Sequence, residues 1–142
     1  MGLDDIYTEL IAEESRNSEH KHHLSAPTVT LKGRNPSCGD EITIELEIAD
    51  GMVKDASFTG VGCAISQASA SMMIGLIKGK SVEEAKRLAG LFMGMIKGDV
   101  TNEEQLEELG DAAALESVSH LPARVKCAVL GWHTLDEALE EK

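Results

Sequence analysis

The feature that most constrains the fold is the stretch EITIELEI at residues 41–48, in which isoleucine and leucine alternate with threonine and glutamate. This period of two is typical of a β-strand with one apolar face and one polar face. Asp50 and Gly51 follow, and this pair favours a tight hairpin turn. Shorter strand-like segments lie on either side, at residues 28–32 and 53–59. We therefore predict a three-stranded antiparallel meander with one face in water.

The chain after these segments has a helical pattern. Two helices are predicted, from Cys63 to Gly79 and from Ser81 to Gly98, the second beginning with a capping box between Ser81 and Glu84. Shorter elements are expected after them: acidic helical turns at residues 101–110, a short segment at 112–118 and a last helix from Pro122 to about Leu139. Strands that precede helices in this way indicate the α+β class, with a small antiparallel three-stranded sheet and helices packed on one face.

A single domain is predicted over residues 1–142, and its first 26 residues are expected to form a peripheral N-terminal helix and connector. Apolar residues from Leu3 to Ile11 recur at helical spacing, which predicts a helix from Leu3 to about Arg16. A polar connector that ends at Pro27 follows. Its histidines, His20, His22 and His23, could bind a metal transiently, but a solvated connector is the favoured interpretation.

Composition excludes several classes of partner. The formal charge of −12 argues against a nucleic-acid partner, because nucleic-acid affinity depends on clustered lysine and arginine. No apolar run approaches the roughly 20 residues of a membrane span, so no membrane role is expected. The acidic start MGLDDIYTEL lacks the basic region of a secretory signal, which predicts a cytoplasmic protein. A chain of 142 residues is also long enough to fold without disulfides.

The three cysteines, Cys38, Cys63 and Cys127, each lie at a predicted element boundary. A cysteine at a helix start meets unpaired N–H groups that favour the thiolate. If the three regions converge, they supply three sulfur ligands and Asp40 could add an oxygen, a set that tetrahedral zinc accepts. Simple burial of each thiol and a purely structural zinc module are open alternatives. A thiol–disulfide oxidoreductase is less favoured, since the chain has no C-x-x-C pair.

Three motifs, NPSCGDEI, FTGVGCAISQASASMM and LPARVKCAVLGW, resemble those of the SufU-type sulfur-transfer proteins, the zinc-bearing relatives of the iron–sulfur scaffold IscU. The resemblance runs from about Asn35 to Leu135 and implies a SufE/NifU-like fold. It also implies that Cys38, Asp40, Cys63 and Cys127 bind one zinc ion.

The same resemblance implies a function. Cys38 would accept persulfide sulfur from a SufS-type, pyridoxal-phosphate-dependent cysteine desulfurase, after a histidine of that enzyme replaces it on the zinc. The sulfur would then pass to SufBCD-type iron–sulfur cluster assembly machinery. This describes a sulfurtransferase-like accessory protein rather than a free-standing enzyme. The alternative is a scaffold that holds a nascent [2Fe–2S] cluster on the same ligands.

Two details favour transfer over scaffolding. Lys126 stands where IscU-type scaffolds normally have histidine, and residues 101–119 look like the insertion that marks the SufU branch. Arg124 and Lys126 are candidate auxiliary cations near the thiolates, with a plain surface role as the alternative. The segment SRNSEHKHHLSAP departs from the basic, Asn-Pro-containing segment common in SufU relatives.

Several other residues are assigned to packing. The serines that follow Cys63, at positions 66, 69 and 71, have no evident partner base and are interpreted as small residues that allow close helix packing. Phe92 and Trp132 are expected to be core anchors.

Overall fold

The computed structural model describes residues 3–36 and 39–140, with side chains from Glu9 onward. Its elements, in chain order, are α1 (Leu3–Ser15), β1 (Val29–Asn35), β2 (Asp40–Ala49), β3 (Met52–Val61), α2 (Ala64–Ile77), α3 (Val82–Lys97), α4 (Glu103–Glu107), a 3-10 helix (Gly110–His120) and α5 (Pro122–Glu140). In the described ranges, no helix is long and apolar enough to cross a membrane.

The three strands form an antiparallel sheet in the order β1–β2–β3, as predicted. Asp50 and Gly51 join β2 to β3 with φ values of 54° and 74°, the left-handed conformations that a tight hairpin requires. β1 and β2 are longer than the sequence predicted, and their ladder ends with Asn35 opposite Asp40. This extension makes Asp40 the first residue of the central strand β2, close to Cys63 and Cys127.

The helices pack on one face of the sheet, which confirms the α+β prediction. The apolar side chains of β2 that alternate in sequence, at Ile42, Ile44 and Leu46, have no exposed surface. α5 contacts β1 and β2, while α2 contacts β3. α3 begins where predicted, with Ser81 Oγ accepting a hydrogen bond from the Glu84 amide, and Gly98 ends it in a left-handed conformation.

The opposite face of the sheet is less exposed to solvent than predicted. Glu45 and Ser57, which are cross-strand partners on that face, are only 4% and 0% exposed. The N-terminal connector covers them. It pairs with the β3 edge, where Phe58 N–H donates to His20 O, and it then crosses to β1 on the far edge. On the way, His23 Nδ1 lies 2.7 Å from Glu45 Oε2.

Most residues of the connector are nevertheless exposed, in agreement with the solvated-connector interpretation, and the His23 side chain is 77% exposed. The buried Glu45 carboxylate also accepts a hydrogen bond from the Leu24 amide. A buried carboxylate needs such partners, and periodicity within the sheet could not reveal them. The short segment predicted at residues 112–118 is longer in the structure, where it is the 3-10 helix.

Trp132 and Phe92 lie in the core as expected, with stacked rings 4.2 Å apart. The interpretation of Ser69 as a mere small residue is incomplete. Its hydroxyl accepts a hydrogen bond from Trp132 Nε1 at 2.9 Å and donates one to the Ala128 carbonyl at 2.6 Å. These bonds join α2 to α5, the two helices that carry Cys63 and Cys127 at or near their first turns.

We expect Ser69→Ala to lower the free energy of unfolding by about 1–3 kcal/mol, because it leaves the buried Trp132 N–H and Ala128 carbonyl without this partner. Urea denaturation checks the value. A double-mutant cycle uses Trp132→Phe, which removes the donor. The double variant should lose less stability than the sum of the losses in the two single variants. Strict additivity would contradict this account.

Candidate metal centre

Three of the four predicted ligands converge. Asp40, Cys63 and Cys127 each present one ligand atom, and these atoms all lie within 4.8 Å of one another. Asp40 is the first residue of β2, Cys63 is the N-cap of α2, and Cys127 lies in the second turn of α5. Cys38, the fourth predicted ligand and the predicted sulfur acceptor, lies outside the described residues. By sequence it belongs to the connection between β1 and β2, two residues before Asp40.

The Asp40 carboxylate is held by the start of α2. It is 1% exposed, and its Oδ1 accepts a hydrogen bond from the Cys63 amide at 3.0 Å. Amides at a helix start have no carbonyl partner within the helix and attract negative charge. Asp40 Oδ2 then lies 3.9 Å from Cys63 Sγ. The helix start therefore orients a carboxylate oxygen toward the sulfur.

The two described thiols differ in accessibility. Cys127 is fully buried, whereas Cys63 is partly exposed. Ser66, which the sequence analysis assigned to packing, lies 4.0 Å through its Oγ from Cys63 Sγ and donates a hydrogen bond to the Cys63 carbonyl. Ser66 lies three residues after Cys63 on the same face of α2, and this spacing could have predicted the contact from sequence.

The two glycines before Cys63 act differently. Gly60 has φ of +135°, and a Cβ there would lie 2.0 Å from the Glu41 carbonyl oxygen. Gly62 has an ordinary φ, but a Cβ would lie 2.3 Å from Ser66 Oγ and 2.8 Å from Asp40 Oδ1. Gly62 is therefore required because the backbone passes directly against the ligand group.

We expect Gly62→Ala to weaken metal binding by this group about 10- to 100-fold, with zinc as the probe metal, since the new methyl group must displace Asp40 or Ser66. Competition with a chromophoric zinc chelator measures the affinity. Gly90→Ala is the matched control, because this exposed glycine of α3 has open space where its Cβ would be. An unchanged zinc affinity in Gly62→Ala would contradict the assignment.

The donor set fits a metal. Zinc–sulfur bonds of about 2.3 Å in a tetrahedron place neighbouring sulfurs about 3.8 Å apart, comparable with the separations in this group. Two thiolates and a carboxylate suit zinc, and thiolates also ligate iron–sulfur clusters. The residues therefore provide a metal-binding group without selecting the metal.

The candidate auxiliary cations, Arg124 and Lys126, are exposed at the start of α5. Lys126 lines a shallow cleft together with Arg34 at the end of β1. Arg34 is also 3.6 Å from Glu41, which Lys32 approaches to 3.1 Å. Hydrogen bonding to Lys32 and the charges of Lys32 and Arg34 hold the pKa of the Glu41 carboxyl below its usual value. Lys32 and Arg34 are therefore both paired with Glu41.

Comparison with known proteins agrees with this geometry. Residues 6–141 match the family described as NifU-like N terminal domain. The chain is 42% identical over 136 residues to the iron–sulfur cluster assembly scaffold protein IscU of Thermotoga maritima, covering 96% of this chain and 94% of the relative. It is 38% identical over 140 residues to the zinc-dependent sulfurtransferase SufU of Bacillus subtilis, covering 99% and 93%.

Solved structures give the same result. A putative SUF-system scaffold protein from Fervidobacterium islandicum superposes with a TM-score of 0.88 at 36% identity, covering 97% of this chain and 99% of the other. The N-terminal part of a NifU-like protein from Brucella abortus gives 0.85 at 27% identity, covering 99% and 98%. The chain therefore belongs to the NifU-like N-terminal domain family, together with the iron–sulfur cluster assembly proteins named IscU and SufU.

Proposed function

We propose that this protein is a zinc-dependent sulfur acceptor, which takes persulfide sulfur from a cysteine desulfurase and delivers it to iron–sulfur cluster assembly. The observation that carries the proposal is the convergence of Asp40, Cys63 and Cys127 within 4.8 Å. The name of the Bacillus subtilis relative, a zinc-dependent sulfurtransferase, supports it. A SufS-type, pyridoxal-phosphate-dependent desulfurase as donor and SufBCD-type machinery as recipient are part of the proposal.

The accessibility of each candidate ligand indicates its role. Cys63, Cys127 and Asp40, with Cys38, would hold the metal. When bound, zinc would keep the thiols in the thiolate form. Cys127 and Asp40 are buried, so neither is suited to meet a persulfide on another protein. This burial supports Cys38 as the acceptor, in agreement with its place in the connection that precedes Asp40.

The transfer itself is a thiolate exchange. The Cys38 thiolate attacks the outer sulfur of the donor persulfide, and a new sulfur–sulfur bond forms on Cys38. The sulfur–sulfur bond of the donor breaks at the same time, and the donor cysteine leaves as a thiolate. The proton on the transferred sulfur remains with it. No external oxidant or reductant is required, because one persulfide replaces another.

A second candidate is a scaffold that holds a [2Fe–2S] cluster on the same ligands. The 42% identity to the Thermotoga maritima scaffold protein, over nearly the whole of both chains, favours it. Lys126, at the position where IscU-type scaffolds normally have histidine, favours sulfur transfer instead. The two functions differ in the metal that the isolated protein retains.

The test is the rate of alanine formation from cysteine by a SufS-type desulfurase, with and without the zinc-loaded protein. A higher rate in its presence is expected. The protein is also isolated under anaerobic conditions, and a colourless protein with about one equivalent of zinc agrees with transfer. A brown protein with iron–sulfur absorption and no effect on the desulfurase would replace the proposal with the scaffold function.

A further inference from the structure

The two cysteines that the structure describes lie close enough to react with each other. Cys63 and Cys127 are both free thiols, and their sulfur atoms lie within 4.8 Å of one another. A disulfide requires a sulfur–sulfur distance of about 2.05 Å, so side-chain rotation with a small backbone shift closes the remaining gap. Cys63 is the N-cap of α2, so no preceding helical turn restricts the rotation of its side chain.

Contacts between protein groups keep the two cysteines together. Ser69 on α2 donates a hydrogen bond of 2.6 Å to the carbonyl of Ala128, which directly follows Cys127 on α5. The two helices also approach closely, because a Cβ added at Gly131 would lie 3.5 Å from the Ala70 Cβ. These contacts are made by the protein alone. We therefore expect the two sulfurs to stay near each other when a metal ion leaves.

The two thiols differ in their exposure to solvent. Cys63 is partly exposed, so a small oxidant can reach its sulfur, whereas Cys127 has no exposed surface. Oxidation therefore begins at Cys63, and the buried thiol lies beside the oxidised sulfur. An accessible cysteine next to a second cysteine that resolves it is the arrangement that makes thiol oxidation reversible.

We propose that Cys63 and Cys127 are an oxidative modification site, at which hydrogen peroxide converts the metal-free protein to a reversible disulfide form. The disulfide removes two of the thiolates that a metal needs, so the oxidised form cannot hold zinc or a cluster through these residues. The inference rests on the proposed function only for its consequence, which is the loss of zinc-dependent sulfur acceptance. Formation of the disulfide is measured separately.

The reaction has two steps. The Cys63 thiolate attacks one oxygen of hydrogen peroxide, the oxygen–oxygen bond breaks and hydroxide leaves, so that Cys63 becomes a sulfenic acid. The Cys127 thiolate then attacks the Cys63 sulfur, the sulfur–oxygen bond breaks and a second hydroxide leaves. The two protons that the thiols release convert the hydroxides to water. Two electrons pass from the sulfurs to the peroxide, and no other oxidant or reductant is consumed.

Peptide mapping tests the pairing. Trypsin cleaves after Arg34, Lys54 and Lys126, so each of the three cysteines lies in a different peptide. The full chain is stripped of metal under anaerobic conditions, treated with an equimolar amount of hydrogen peroxide, alkylated and digested without reductant. We expect the peptides of the two described cysteines to be joined, and Cys38 to be alkylated. Dithiothreitol should separate the joined peptides and restore zinc binding.

Zinc-loaded protein and two cysteine variants are compared under the same conditions. The zinc-loaded protein should form the disulfide at least about tenfold more slowly, because the metal occupies the thiolates. Cys38→Ala should still form the disulfide. Cys127→Ala should not, and its Cys63 should accumulate as a sulfenic acid that dimedone traps. Circular dichroism verifies that the variants fold, and the wild-type peptide map decides the pairing if they do not.

Three results would overturn the inference: a cross-link that includes the Cys38 peptide, oxidation of Cys63 to a sulfinic acid without a disulfide, or a cross-link between two chains on a non-reducing gel. Disulfide formation in a protein that does not stimulate a desulfurase when zinc-loaded would leave the modification site established and reject the proposed sulfur transfer. Stimulation by the zinc-loaded protein without disulfide formation in the metal-free protein would reject this inference alone.

Discussion

Replacing Cys38 by alanine is expected to return a cysteine desulfurase to its unassisted rate of alanine formation. The other two cysteines cannot substitute well, because Cys127 is fully buried and Cys63 contacts the Asp40 carboxylate at the start of α2. Without an acceptor thiolate, the donor persulfide can be discharged only by small thiols in solution. The measurement is the rate of alanine formation at saturating cysteine, with wild type and variant at equal zinc content.

Direct detection of the transferred sulfur complements the rate. Mass spectrometry of the alkylated wild-type protein after turnover should find one additional sulfur atom on the peptide that contains Cys38, and none on those that contain Cys63 or Cys127. Gly90→Ala, at an exposed position of α3 where an added Cβ meets nothing within 4 Å, serves as a variant that should retain full stimulation. A folded, zinc-replete Cys38→Ala protein that still stimulates the desulfurase would move the acceptor role to Cys63.

Removal of the metal is expected to lower the melting temperature by about 10 °C. A ligand present at about 1,000 times its dissociation constant stabilises the folded state by about 4 kcal/mol. For a chain of this size each kcal/mol shifts the melting temperature by about 2–4 °C. The metal-binding group is well placed to have this effect, since it links β2, α2 and α5 through Asp40, Cys63 and Cys127.

Differential scanning calorimetry before and after dialysis against a chelator measures the shift, and added zinc should restore the original value. Cys63→Ala is the informative companion, because it should begin at the lower melting temperature and respond little to the chelator. An unchanged melting temperature in protein shown by elemental analysis to have lost its metal would contradict a stabilising centre on these residues.

The sheet could be predicted from local pattern because one of its faces packs against the helices. The alternation from Ile42 to Leu46 places three fully buried side chains on that face, so the period of two is a direct consequence of burial. The start of α3 was predictable for a similar reason: the Ser81 side chain satisfies the Glu84 amide only three residues away. Such interactions are contained within a few neighbouring residues.

The covered outer face was not predictable in this way. Glu45 occupies a position in the alternation that normally faces water, and its partners, His23 and the Leu24 amide, come from a connector with no periodicity of its own. Likewise, nothing near Ser69 in the sequence indicates that it meets Trp132. In both cases the polar atom is satisfied by a partner that the fold brings from elsewhere in the chain.

The sequence by itself determined the strands, the main helices and, through its resemblance to known motifs, the candidate ligands Cys38, Asp40, Cys63 and Cys127. Only the tertiary structure decided that Asp40, Cys63 and Cys127 meet within 4.8 Å, and that Lys126 shares a cleft with Arg34. The physical reason is that periodicity and capping report interactions between near neighbours. Distances between chain segments depend on how the helices pack on the sheet.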